Sequence, residues 1–142
     1  MWREVFDTNV MGLCMMTREA IKVMRANDIA GQIVHIGSLG SHIVLPIKNS
    51  NVYFGSKFAV KALAETLRQE LNTIGSQIKI SSISPGVVHT ELCDYNQDFK
   101  NITQSMDPLK SEDIADMVLF VLSRPPHVQI QDILVRPITQ PI

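Results

Sequence analysis

The stretch NVYFGSKFAVKAL, residues 51–63, sets Tyr53 and Lys57 four positions apart at the start of a helical pattern. Side chains at i and i+4 share one face of an α-helix, so the phenol and the ammonium meet on one side. The spacing predicts a helix from Asn51, read as its N-cap, to about Thr73. Phe54, Phe58, Leu63, Leu67 and Leu71 form one side, and Lys61, Glu65, Arg68 and Gln69 the other. A tyrosine hydroxyl can deliver a proton to a developing alkoxide, but an unperturbed pKa near ~10 makes it a poor base at neutral pH. The positive charge of Lys57 is expected to favour the phenolate; a lowering of about 2 to 3 units corresponds to roughly 3 to 4 kcal/mol. Taken alone, the pair is more readily an ordinary aromatic beside a solvated charge.

Outward from this stretch, helical and extended patterns alternate. Residues 3–27 place Val5, Val10, Leu13, Thr17, Ile21 and Met24 at helical spacing, and Asn27, Asp28 and Gly31 supply a turn. A short strand is expected over 32–37 (QIVHIG), followed by a loop over 38–50 that contains Pro46. A second strand is expected over 77–86, interrupted by Pro85-Gly86, and residues 87–107 read as irregular or weakly helical. Ser111 is placed to cap the next helix, with Glu112 and Asp113 in its first turn and Arg124-Pro125-Pro126 at its end. A last strand falls in 129–137. Short β-branched strands separated by helices indicate α/β layering on a parallel sheet with helices on both faces.

Composition bounds the function classes. The 142 residues suffice for one domain, and 45% hydrophobic with 19% charged residues reads as soluble and globular. A formal net charge of −1 gives no electrostatic reason to expect nucleic acid or an anionic membrane as partner. Cys14 and Cys93 are far apart and lie in no metal-ligand spacing, which favours reduced thiols and no metal site. No apolar run reaches the roughly 18 residues that span a bilayer, and the charged start MWREVFDTN does not suit a secretion signal. A cytoplasmic protein is expected, with the sequon at Asn101 unused. His35, His42, His89 and His127 read as structural or loop residues.

Three strands and three main helices make a thin sheet for so apolar a chain. No glycine-rich turn between a strand and a helix is present to cradle a phosphate. The pattern therefore reads as part of a Rossmann-type doubly wound parallel sheet: the second half of a domain, residues 1–142, whose first βα units are missing.

Four elements now carry a family resemblance: Tyr53-Phe54-Gly55-Ser56-Lys57, a YxxxK motif; Ser38 upstream in HIGSLGSH; Asn9 in DTNVMG; and SPGVVHT at 84–90 after a strand. In their chain order, Asn9, Ser38, Tyr53–Lys57 and then 84–90, they resemble the second half of a short-chain dehydrogenase/reductase, and the tail LSRPPHVQIQDILVRP is most similar to the farnesol dehydrogenase and broad-specificity ketosteroid reductase branch. The resemblance implies hydride transfer between NADP (NAD not excluded) and a lipophilic alcohol or carbonyl, farnesol- or steroid-like.

Its residue roles are implied in the same way. Tyr53 would exchange the proton, and Lys57 would support it and hold the cofactor ribose. Ser38 would bond the substrate oxygen, with Ser41 as its rival. The Asn9 carbonyl would anchor a water leading to Lys57. Pro85 and Gly86 would let the backbone approach the nicotinamide, Val88 would offer main-chain groups to the carboxamide, and Thr90 would bond near the pyrophosphate. Residues 91–107 would form a lid with Leu92, Tyr95, Phe99, Ile102 and Met106 inward. Helices 3–27 and 51–73 would pair in a homo-oligomer. Three expectations compete: an enzyme of which these residues alone are inactive, a truncated non-catalytic paralogue that keeps only its oligomerisation helices, or an α/β binding module unrelated to redox work.

Overall fold

In the computed structural model, residues 1–48, 50–95 and 97–140 are described. The first helical region comprises α1 (Trp2–Phe6), a π-helical stretch (Asp7–Gly12) and α2 (Leu13–Ala26). It is followed by β1 (Gln32–Ile36), a 3-10 turn (Leu39–Ser41), α3 (Asn51–Thr73) and β2 (Lys79–Pro85). A second 3-10 turn (Glu91–Tyr95), α4 (Gln97–Gln104), α5 (Ser111–Leu122) and β3 (Asp132–Val135) complete the order. The three strands are parallel in the order β1-β2-β3, with Ile33 opposite Ile80 and Ile83 opposite Ile133. The expected α/β class with a partial parallel sheet is what the chain forms.

Side-chain alternation along the strands explains the layers. On one face, Ile80 of β2 and Ile78 just before it join Ala64 and Leu71 of α3 in a buried cluster, with Ile21, Met24, Ile33 and Leu67 packed against it. On the other face, Ile83 is fully buried, as is Val121 of α5. β2 is buried along nearly its whole length because it is flanked on both edges. Its serines are accommodated by hydrogen bonds: Gln32 Nε2 donates to Ser81 Oγ (3.2 Å), and Ser84 Oγ donates to Asp132 Oδ1 (2.9 Å).

Several local expectations change. The single helix expected over 3–27 contains the π-helical stretch, a one-residue shift of hydrogen bonding that hydrophobic spacing does not register. Ser50, not Asn51, precedes the first residue of α3, and Lys110, not Ser111, that of α5. Asp113 Oδ2 accepts the Lys110 N–H at 2.7 Å. Within 87–107, read as irregular or weakly helical, residues 97–104 form a helix. The final strand starts at Asp132 rather than 129. Phe58 is 41% exposed, although expected on the apolar side. It lies two residues from both Ser56 and Val60, about 200° round the helix from that buried stripe. Arg68 and Glu65, both expected on the polar side, pair at 2.7 Å.

Candidate functional site

β1 ends at Ile36, and the chain turns at Gly37 into the loop that carries Ser38. The Ser38 hydroxyl accepts the Gly40 N–H at 3.0 Å, which fixes the entrance to the 3-10 turn. α3 begins beside this turn and presents Tyr53 and Lys57 to the carboxyl edge of the sheet, where open α/β sheets bind ligands. There the walls enclose a cavity of about 620 Å3. Ser38, Tyr53 and Lys57 line it, together with Pro85, Gly86, Val88 and Thr90 from the loop after β2. A volume of this size falls in the range of small-molecule and cofactor sites.

The electrostatics differ from the expectation. Burial pushes the Tyr53 phenol above its ordinary value. A hydrogen bond with Ser38 acts the other way, and the Cys93 thiol adds to the rise. Lys57 is not among the causes; burial lowers its own pKa. The expected lowering of the phenol by Lys57 is therefore corrected: desolvation dominates and raises it. The Lys57 Nζ lies 5.8 Å from the centre of the Tyr53 ring and donates to the Ile36 carbonyl at 3.2 Å. Phenol and ammonium thus occupy one cavity wall.

Asn9 lies outside the cavity wall. Its side-chain amide donates to Ser56 Oγ (3.0 Å), and Ser56 donates to the Tyr53 carbonyl (2.7 Å). This two-bond chain joins the π-helical stretch to the first turn of α3. Ser56, fully buried, was not singled out from sequence, where it is an unremarked position within YxxxK. Ser41, the rival to Ser38, is 1% exposed and absent from the cavity lining, so Ser38 is the serine that faces Tyr53.

Of the lid residues, Leu92 lines the cavity while remaining 62% exposed; the side chains of Tyr95 and Phe99 lie outside the described residues. Cys93 also lines the cavity, and its thiol donates to the Val88 carbonyl at 3.2 Å. The backbone after β2 packs closely against the chain beyond β3. A Cβ on Gly86 would lie only 2.7 Å from Arg136 Cβ, so only glycine fits this packing. Both cysteines are free. His42 lies beside the sheet rather than in an isolated loop: Lys61 Nζ is 2.8 Å from its Nδ1, and its Nε2 approaches Asp132 Oδ2 to 3.0 Å. His35 bonds Thr17 through Nε2 at 3.0 Å, while its Nδ1 has no partner among the described residues. Among the described residues, no group of three or more His, Cys, Asp or Glu could hold a metal, and no helix is long and apolar enough to cross a membrane.

Comparison with known proteins accords with this geometry. A family model described as enoyl-(acyl carrier protein) reductase matches residues 1–133. Farnesol dehydrogenase of Aedes aegypti is 45% identical over 138 residues, covering 97% of this chain and 55% of that protein. Dehydrogenase/reductase SDR family member 11 of Bos taurus is 44% identical over 145 residues, covering 98% and 57%. The closed form of a serine dehydrogenase complexed with NADP+ superposes with a TM-score of 0.88 at 30% identity, over 99% of this chain and 57% of that one. The chain spans about half the length of the curated relatives it matches. With the family model matching nearly the whole chain, and Ser38, Tyr53 and Lys57 on one cavity wall, the chain belongs to the short-chain dehydrogenase/reductase family.

Proposed function

We propose that residues 1–142 form the catalytic half of a single short-chain dehydrogenase/reductase domain that transfers a hydride between NADP(H) and a lipophilic alcohol or carbonyl, farnesol- or steroid-like. The observation that carries this reading is the single cavity, lined by Ser38, Tyr53, Lys57 and the Pro85–Thr90 loop. The serine dehydrogenase it resembles holds NADP+, which supports a nicotinamide nucleotide. Choosing NADP over NAD, and a farnesol- or steroid-like substrate, extends the likeness to the farnesol dehydrogenase branch.

When bound, the nicotinamide supplies or accepts the hydride; everything else falls to the side chains. Ser38 bonds the substrate oxygen and holds it against Tyr53. In reduction, Tyr53 gives its proton to that oxygen. Its raised pKa keeps the phenol protonated and ready to donate at neutral pH. In oxidation the same phenol must first lose its proton, so this direction gains from alkaline pH. Lys57 orients the cofactor ribose, and the Asn9 main chain anchors a proton path to Lys57 through water. The apolar walls, including Val5, Leu39 and Leu92, suit a lipophilic substrate.

A homo-oligomer through helices 3–27 and 51–73 is part of this reading. Met11, Met15, Met16 and Val23 on the first helical region and Phe58 on α3 are all exposed. A cytoplasmic location accords with a nicotinamide-dependent role.

The test joins this chain behind the amino-terminal portion of the Aedes aegypti relative. Incubated with NADP+ and farnesol, the fusion should form NADPH, and the 142-residue chain alone should bind NADPH poorly because it contains no backbone nest for a pyrophosphate. A fusion that binds NADP+ yet turns over no lipophilic alcohol or ketone would overturn the assignment in favour of a non-catalytic product.

A further inference from the structure

Beyond β3, the chain makes a tight return. Pro137 is buried, Ile138 is fully exposed, and Gln140 N donates back to the Pro137 carbonyl at 3.1 Å. The turn therefore throws Ile138 outward and directs Gln140 towards the cavity, which it lines. There Gln140 Oε1 accepts the Val87 N–H at 3.0 Å, a contact spanning 53 residues of chain.

The surrounding main chain shows why that contact matters. Gly86 N donates to Val135 O (2.7 Å), the last rung of the β2–β3 ladder. Leu109 N donates to Val87 O (3.0 Å), and His89 N to Leu109 O (2.8 Å). Gly86 and His89 therefore donate to main-chain carbonyls, whereas the Val87 donor lies beyond the end of the ladder and is satisfied by a side chain. Gly86 is adapted to this arrangement, since a Cβ there would overlap Gln140 Oε1 as well as crowd Arg136.

We propose that Gln140 is a positioning residue for the nicotinamide end of the cavity: its side-chain carbonyl latches the Val87 amide and so fixes the Val87–Thr90 backbone against which the nicotinamide is held. The inference rests on the nucleotide reading above and extends it to a residue outside the loop itself. Gln140 touches neither the reacting atoms nor the proton path; it acts through the main chain of Val87 and Val88.

The test uses the fusion described above with Gln140→Met, which removes the acceptor, and Gln140→Glu, which keeps an oxygen at the same reach. Two affinities are measured calorimetrically. One is for whichever of NADPH and NADH the fusion binds more tightly; the other is for the matching adenine-side fragment that lacks nicotinamide. Amide exchange at Val87 and Val88 is followed in the same proteins. Loss of one main-chain hydrogen bond predicts that Gln140→Met weakens the dinucleotide and speeds exchange by about tenfold each, while Gln140→Glu stays within about threefold of the parent. The adenine fragment should bind all three proteins alike, a pattern that general destabilisation does not produce. Equal weakening of both ligands, unchanged dinucleotide affinity in Gln140→Met, or equal damage from both substitutions overturns the latch. A parent fusion that binds the adenine fragment as tightly as the dinucleotide removes the nicotinamide reading itself. The proposal then falls with its premise, although the exchange difference still registers the Gln140–Val87 bond.

Discussion

The two ends of α3 bury different chemistry. Towards its amino end, Ser50 and Ser56 are buried beside Phe54, and Tyr53 and Lys57 face the cavity. Further along, Ala64 and Leu71 meet Ile78 and Ile80 in a purely apolar cluster. The amino end must position polar groups, so its buried atoms are tied by specific bonds, such as Asn9 to Ser56 and Ser56 to the Tyr53 carbonyl. The remainder only excludes water, where area and shape suffice. One helix thus anchors itself at one end and holds reactive groups at the other. Substitutions at the two ends should fail in different assays.

The largest expected effect is at the amino end. Tyr53→Phe in the fusion should cut turnover by at least about a hundredfold, the scale of lost general acid–base catalysis, with the unfolding midpoint nearly unchanged. Near-parent rates measured by NADPH absorbance would remove the contrast altogether. At the apolar end, Leu71→Ala should cost about 2 to 5 kcal/mol in denaturant unfolding, from lost transfer energy and the cavity left behind. Turnover per folded molecule should stay as in the parent; a loss there would mean the two ends are coupled.

Ser38→Ala sharpens the electrostatic side. Turnover should fall by about a hundredfold, as when one donor to a developing oxyanion is removed. The Ser38 bond is what lowers the Tyr53 pKa against the effect of burial. Its removal should therefore move the alkaline rise of the oxidation rate to higher pH, and a shift to lower pH would contradict the assignment.

The smallest effect belongs to Glu65, midway along the helix. Arg68 and Gln69 hold its carboxyl at about 2, below the ordinary 4.5. A depressed carboxylate stabilises the fold above its unfolded value, and that contribution is lost as pH falls through the folded one. Between pH 4.5 and about 2, Glu65→Gln should lose less stability than the parent on acid titration followed by circular dichroism.

Local periodicity made much of this legible. The four-residue gap from Tyr53 to Lys57 sets both on one helical face whatever the rest of the chain does, and the short β-branched character of QIVHI and KISSISP reads as strand. The hydrophobic spacing of residues 3–27 gave a helix but not its π-helical turn, because a one-residue shift in hydrogen bonding leaves the apolar stripe nearly intact. Pro85-Gly86 read locally as the end of a strand, and nothing in the tail identified Gln140 as the side chain that packs on Gly86.

By itself, then, the sequence determined the α/β class, the order of elements and the pairing of Tyr53 with Lys57 on one face, since each depends on neighbours a few residues away. Only the tertiary structure decided that Ser38 rather than Ser41 faces the phenol, that Asn9 reaches Tyr53 through Ser56, and that burial raises the phenol's pKa. Those outcomes depend on which distant segments exclude water from a given atom, and desolvation is a property of the assembled surroundings rather than of any local run of residues.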